Sequence, residues 1–155
     1  MRQRSTESVD NYLKAIFALS GDGKRRVGSG EIATHLHIAP ASVTNMLQKL
    51  ATEKRPQVDY QRHKGVRLSP FGRKRAIEIV RHHRLIETFL HEVLGYPIEE
   101  LHDEAEKLEH FISEKFEERI AAKLGNPEVD PHGDCIPAMD CTMPAQHGIS
   151  CKCGH

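Results

Sequence analysis

Apolar positions 9, 12, 13, 16, 17 and 19 in SVDNYLKAIFAL recur at steps of three and four, which predicts a helix over Ser8–Leu19. Ser5 or Ser8 would cap it and Gly21-Asp22-Gly23 would end it. Ser29-Gly30-Glu31 opens a short helix with Ile32, Ala33 and Leu36 inward, and His37–Ala41 makes a tight connection in which Pro40 suits a helix start. Ser42–Leu50 follows as a second helix, with Val43, Met46, Leu47 and Leu50 on its apolar side. From Val58 to Leu68 the period changes to two around Arg62-His63-Lys64-Gly65, which predicts a β-hairpin with a basic tip. Ser69-Pro70 starts a long helix to about Leu94, with Phe71, Ile77, Val80, Leu85, Phe89 and Val93 as its stripe. Gly95-Tyr96-Pro97 breaks it. A further helix is expected from Pro97 to about Ser113, and a last one, capped by Ser113, runs to Gly125-Asn126-Pro127. From Asn126 onward periodicity disappears and the text reads as irregular.

The expected fold class is therefore mostly α: an N-terminal winged helix-turn-helix with a small β-hairpin wing, then a helical domain. Two short helices joined by a tight turn also describe an ordinary helical hairpin. The second helix, however, turns Ser42, Thr44, Asn45, Gln48 and Lys49 outward, where a surface helix more often shows Glu/Lys pairs. These residues are candidates for base edges (Ser42, Thr44, Asn45, Gln48) and phosphate (Lys49), with Arg62, Lys64 and Arg67 of the wing as further phosphate contacts. The expected division is 1–74 for the winged helix, 75–142 for a helical dimerisation and metal-binding domain, and 143–155 for an irregular Cys/His-rich tail.

Charge sharpens this division. The formal net charge is zero, yet residues 1–75 carry 15 Lys/Arg against 6 Asp/Glu, while residues 76–155 carry 7 against 16 together with eight of the eleven His. The basic part suits a polyanion and the acidic, His-rich part suits cations. No apolar run reaches the ~20 residues of a membrane span, and the polar start MRQRSTESVDNY has no signal-like core. A cytoplasmic protein is expected.

Candidate chemistry concentrates in LHDEAEKLEHF, Leu101–Phe111. His102, Glu106, Glu109 and His110 follow helical steps of four and three, so two imidazoles and two carboxylates share a face. Such a nitrogen and oxygen set suits Mn²⁺, Fe²⁺, Co²⁺, Ni²⁺ or Zn²⁺. The same spacing also describes a solvated face with i,i+4 pairs, and Lys107 points that way. All four cysteines, Cys135, Cys141, Cys151 and Cys153, lie near the C-terminus with His147 and His155. In a reducing compartment they suit a thiolate metal or redox chemistry better than a disulfide frame, although their spacing matches no standard zinc motif and also fits a flexible, reduced tail.

From residue 8 to about 137 the chain resembles the diphtheria-toxin-repressor and manganese-transport-regulator family of metal-dependent repressors. The resemblance rests on SVDNYLKAIF, EIATHLHIAPASVTNMLQKL, GVRLSPFGRKRA, RHHRLIETFL, LHDEAEKLEH and GNPEVDPHGDCIP. The length is that of the short members without a C-terminal SH3-like domain. The resemblance implies a winged helix followed by a metal-binding, dimerising domain, with Mn²⁺, Zn²⁺ or Fe²⁺ as corepressor of a homodimer that grips a palindromic DNA operator controlling metal-transport genes. It further implies a primary metal site of Asn11, Glu106, Glu109 and His110, and an ancillary one of His83, Glu87 and His102. Metal at the primary site would tie the first helix to the later one and select one orientation of the two winged helices. Two departures stand out. Asn11 is a neutral ligand where relatives have Met or Asp, with Asp10 as its substitute, and Lys14 stands where manganese-type members supply a carboxylate, which favours two separate sites over a binuclear one. The tail would fold back to complete the ancillary site in place of the missing domain.

Two other readings compete. A metal-independent winged-helix regulator would use the His/Glu face structurally. A metal-dependent hydrolase would use it catalytically, but no nucleophile motif, HExxH or phosphate loop is present, so no enzyme is expected.

Overall fold

The computed structural model describes residues 2–21, 23 and 25–140. In chain order the elements are α1 (Arg2–Leu19), α2 (Ser29–Leu36), α3 (Pro40–Thr52), β1 (Val58–Gln61), β2 (Gly65–Leu68), α4 (Pro70–Glu92), α5 (Ile98–Leu108) and α6 (Glu114–Lys123). The chain divides into two units, one ending at Ala76 and the other starting at Ile77.

In the first unit the predicted amphipathic stripes become one core. Leu13, Ile16, Val27, Ile32, Val43, Leu47, Leu50, Val58 and Val66 are buried there. α1 begins earlier than its periodicity suggested, so Ser5 and Ser8 lie inside the helix rather than capping it. At α2 the carboxylate of Glu31 accepts from the Gly28 backbone N–H at 2.8 Å, satisfying one free helix-end donor, and is itself paired with Arg25. Pro40 is the first residue of α3, where its missing N–H costs nothing.

The wing is an antiparallel pair with register Val58↔Leu68 to Gln61↔Gly65. Val27 adds a bridge to Val66, with both backbone bonds at 2.8 Å. This ties β2 to the segment entering α2. Gly65 has φ +90°, and a Cβ there would meet the Val27 carbonyl oxygen at 2.6 Å, so only glycine fits. Arg26 closes the same corner: it donates to the carbonyls of Asp59 and Gly65 at 3.2 Å and pairs with the Asp59 carboxylate.

The second unit contains two apolar clusters. Leu85, Ile120, Ala121 and Ile136 form one, joined by Phe89 and Leu124. Ile86, Leu90, Leu101 and Ala105 form the other, joined by Tyr96 and Ile112. Phe71 and Val93, placed in the α4 stripe by periodicity, are exposed instead. Ser113 caps α6 as expected, its Oγ accepting from the Phe116 N–H at 3.2 Å. α5 stops at Leu108, five residues short of its expected end.

The larger correction concerns the stretch after Asn126, which the loss of periodicity marked as irregular. Its described part, residues 127–140, has no regular element, yet it is folded. Val129 bridges Cys135, the Asp130 N–H donates to the Asp134 carbonyl at 2.9 Å, and the Ile136 N–H donates to the Glu128 carbonyl at 2.8 Å. Ile136 sinks into the first apolar cluster, and Asp130 is buried. One apolar anchor and a closed backbone loop order this segment without any periodic signal.

Candidate functional site

α4 brings Arg81, His82, His83, Arg84 and Glu87 to one region of the second unit. The i,i+4 step places His83 Nε2 3.1 Å from Glu87 Oε1. Across the interior, His83 Nδ1 lies 2.5 Å from Glu109 Oε2. Both nitrogens of one ring thus face carboxylate oxygens. Each can donate there only if it carries a proton, and a metal taking either nitrogen would displace that proton.

His102, on α5, approaches the same place. Its ring centroid is 5.0 Å from that of His83, and its Nδ1 is 4.0 Å from Glu87 Oε1. Its Nε2 is 3.2 Å from Glu106 Oε1, and both of these side chains are more than half exposed. Glu109 is fully buried. It caps α5 rather than continuing it, and its Oε1 lies 3.4 Å from His110 Nε2. The single helical face expected for residues 102, 106, 109 and 110 is therefore split. His102 and Glu106 sit on the helix, while Glu109 and His110 sit on the turn that ends it, with Glu109 between the imidazoles of His83 and His110.

The folded segment after α6 supplies what the sequence reasoning missed. His132 Nδ1 lies 3.4 Å from Glu87 Oε2. Asp130 Oδ1 accepts from the backbone N–H groups of His132 and Asp134 at 2.8 and 2.9 Å. Asp130 Oδ2 is buried with no hydrogen-bond partner. Among the described residues, two trios have ligand atoms all within 4.8 Å of one another: His83, Glu87 and His102, and Glu87, Asp130 and His132. Glu87 belongs to both. The motif DPHG contained the missed pair, but its residues carry no helical period that would have pointed at α4.

Electrostatics follow from this crowding. Burial pushes the Glu87 carboxyl up, but His83 and His132 more than offset it, so it titrates below its ordinary range. Asp130 goes the other way: burial first, then the charges of Glu87 and Asp134, raise it above the ordinary 3.8 despite its two backbone hydrogen bonds. A buried carboxylate with an unpartnered oxygen, next to a second carboxylate and an imidazole, is an unfavourable arrangement that a cation would relieve. The ligand set is oxygen and nitrogen throughout, which fits a borderline or hard divalent ion.

Asn11 and Asp10, also expected as ligands, belong to the first unit. Asn11 is exposed on α1 of the first unit. Asp10 is buried there, and Arg75 forks onto its two oxygens at 2.9 Å each. Cys135 is disulfide-bonded, and a sulfur so engaged is not the thiolate form that binds metal. Cys141, Cys151, Cys153, His147 and His155 lie outside the described residues.

In the first unit, α3 presents Ser42, Asn45, Gln48 and Lys49 as exposed side chains, with Thr44 half-buried and its hydroxyl 3.3 Å from the Pro40 carbonyl. Arg62 and Lys64 are exposed at the wing tip. Arg67 is exposed as well, but its Nε pairs with Asp59 Oδ2 at 3.2 Å. No helix among the described residues is long and apolar enough to cross a membrane.

Comparison with known proteins falls on the same two parts. Residues 5–66 match the iron-dependent repressor N-terminal DNA-binding domain, and residues 69–138 match the iron-dependent repressor metal-binding and dimerisation domain. The chain is 33% identical to the iron-dependent repressor IdeR of Mycobacterium tuberculosis over 86% of its own length, spanning 56% of that relative. It is 33% identical to the HTH-type transcriptional regulator MntR of Lysinibacillus sphaericus, covering 93% of this chain and 99% of that one. A solved manganese-dependent transcriptional repressor in complex with manganese superposes with a TM-score of 0.79 at 40% identity, over 88% of this chain and 62% of that one. With both domain matches lying on the units that carry the winged helix and the His/carboxylate cluster, the chain belongs to the iron-dependent repressor family.

Proposed function

We propose that this protein is a metal-dependent transcriptional repressor, in which a divalent transition metal is the corepressor of a homodimer that binds a palindromic operator. The observation that carries the reading is the pair of ligand trios sharing Glu87, with the orphaned oxygen of Asp130 in one of them. His83, Glu87, His102, Asp130 and His132 would hold the metal, and Glu109, between His83 and His110, is a further carboxylate of the same unit. Mn²⁺, Fe²⁺ and Zn²⁺ all suit these atoms, and the manganese complex of a similar protein favours Mn²⁺. A metal supplies charge and multiple ligation. Held by these residues, its charge would offset the repulsion between Glu87 and Asp130, whose elements, with His102 of α5 and His132, would supply the ligands. Such an ion shifts an equilibrium only by its differential affinity for the two states, and ligands gathered in one state and separated in the other provide that difference.

On DNA, Ser42, Asn45 and Gln48 of α3 would read base edges, and Lys49, Arg62 and Lys64 would bind phosphates. The test is fluorescence anisotropy on duplexes that the protein selects from a random-sequence pool in Mn²⁺. Binding at least about tenfold tighter in Mn²⁺ than in EDTA is expected, a coupling within the usual range for allosteric effectors. Equal affinity in both would instead indicate a metal-independent winged-helix regulator.

A further inference from the structure

One buried network beside the metal centre contributes no ligand atom to it. Glu117, on α6, is buried and has both oxygens engaged: Oε1 accepts from Arg81 Nε at 2.5 Å, and Oε2 lies 2.8 Å from His82 Nε2. Each partner reaches on to backbone. His82 Nδ1 lies 3.3 Å from the carbonyl oxygen of Glu109, at the turn that ends α5. Arg81 Nη1 donates to the carbonyl of Pro137 at 2.7 Å, and Arg84 donates to that of Cys135 at 2.5 Å. The two arginines thus clamp the outgoing leg of the loop whose tip carries Asp130 and His132, and Ile136 is buried between these clamps.

The consequence is geometric. The carboxylates of the cluster come from three places: Glu87 on α4 and Asp130 on the loop after α6, which belong to the ligand trios, and Glu109 on the turn after α5, which faces the His83 ring of one trio. Glu109 keeps one helical bond, its N–H donating to the Ala105 carbonyl at 2.9 Å, but it ends the helix, and Asp130 lies outside regular structure. Both segments are further fastened to α4 through Arg81, His82 and Arg84, and Glu117 is the group on which Arg81 and His82 converge. We propose that Glu117 is a positioning residue for the metal centre, holding Glu109, and with it the His83 ring that Glu109 faces, through His82 and the Asp130–His132 loop through Arg81, and so keeping both ligand trios in register with Glu87. This rests on the metal-centre reading given above. Groups in this position, which orient ligands without binding metal, typically cost about 10–100-fold in metal affinity when lost.

The test uses the full chain and Mn²⁺, read by isothermal titration and by the electron paramagnetic resonance line shape of the bound ion. Glu117→Ala is expected to weaken Mn²⁺ binding about 10–100-fold, at unchanged stoichiometry, and to alter the line shape. Glu117→Gln retains an acceptor for Arg81, and its amide can donate to His82, which rewires the network, so it should recover most of the affinity. Ile120→Val, in the same helix and the same apolar cluster, serves as a variant that loosens packing alone and should leave affinity and line shape as in the wild type. Wild-type affinity and line shape in Glu117→Ala would overturn the proposal, as would an equal loss in Ile120→Val. Should Glu117→Ala fail to fold, Arg81→Lys keeps a cation beside Glu117 but loses the fork to Pro137. It carries the same expectation, and wild-type binding there overturns the proposal. A wild-type protein that binds no Mn²⁺ refutes the metal-centre reading itself, before any variant is compared.

Discussion

Asp130 is the residue whose presence is hardest to explain by folding alone. Its Oδ1 does structural work by closing the loop with two backbone hydrogen bonds, whereas its Oδ2 is buried and unpartnered. Its carboxyl is raised by burial and by the charges of Glu87 and Asp134. A carboxyl raised in the folded state destabilises the fold at neutral pH, and that penalty shrinks once pH falls below its folded value and is gone below its ordinary one. Asp130→Asn keeps the Oδ1 acceptor and removes the charge. In the metal-free protein it should raise the melting temperature by about 2–4 °C, corresponding to ~1 kcal/mol for a chain of this size. The gain should shrink as the pH is lowered into the range where wild-type Asp130 protonates. The same variant should weaken Mn²⁺ binding. Calorimetric scans with and without Mn²⁺ check both halves, and a destabilised metal-free variant would mark Asp130 as structural. Nothing in the local sequence announces this residue. Its neighbours lack periodicity, and its conflict arises from Glu87, 43 positions earlier in the chain.

At the scale of elements, the start of α4 is set by a close approach. Ser69 caps it, its Oγ accepting from the Gly72 N–H at 3.0 Å, and the Ser69 N–H donates to the Gln57 carbonyl. The Ser-Pro pair made that start readable in the sequence. What it did not reveal is that a Cβ on Gly72 would fall 1.9 Å from the Gln57 carbonyl oxygen, a backbone atom that cannot swing aside. Gly72→Ala is therefore expected to destabilise the protein by about 1–3 kcal/mol, the range for overpacking. Gly30, inside α2 with nothing within 4 Å of its would-be Cβ, is the opposite case. There alanine should stabilise by roughly 0.5–1 kcal/mol through helix propensity. Urea unfolding of both variants checks the contrast, and like signs would contradict it. The end of α5 carries the same lesson in reverse. Residue types through His110 suit a helix, but the chain turns after Leu108, which carries Glu109 into the interior beside His83.

For the whole molecule, the zero net charge conceals a basic part and an acidic part, and each agrees with the domain it matches. If the basic part meets DNA phosphates, affinity should fall steeply with salt. Lys64→Ala should lower the slope of log affinity against log salt by about one and weaken all sequences alike. Arg67→Ala should change it less, because Asp59 already pairs with that guanidinium. Anisotropy titrations between low and physiological salt measure both, and identical slopes for the two variants would show that the Asp59 pair has no effect.

The sequence by itself determined the order of helices, the winged helix-turn-helix, a hairpin with a basic tip and the Ser113 cap. All of these depend on residues a few positions apart, whose spacing is visible in the text. The grouping of His83, Glu87 and His102 came from the resemblance to a known family, since no spacing links His102 to a helix that precedes its own. Only the tertiary structure decided which side chains meet across the chain. It split the face of His102, Glu106, Glu109 and His110, gave Asp10 to Arg75, and brought Asp130 and His132 onto Glu87 from a stretch without period. The physical reason is that a loop is placed by one buried apolar anchor and a few carbonyl clamps, here Ile136, Arg81 and Arg84. Such contacts join residues 50 or more positions apart and leave no local signature.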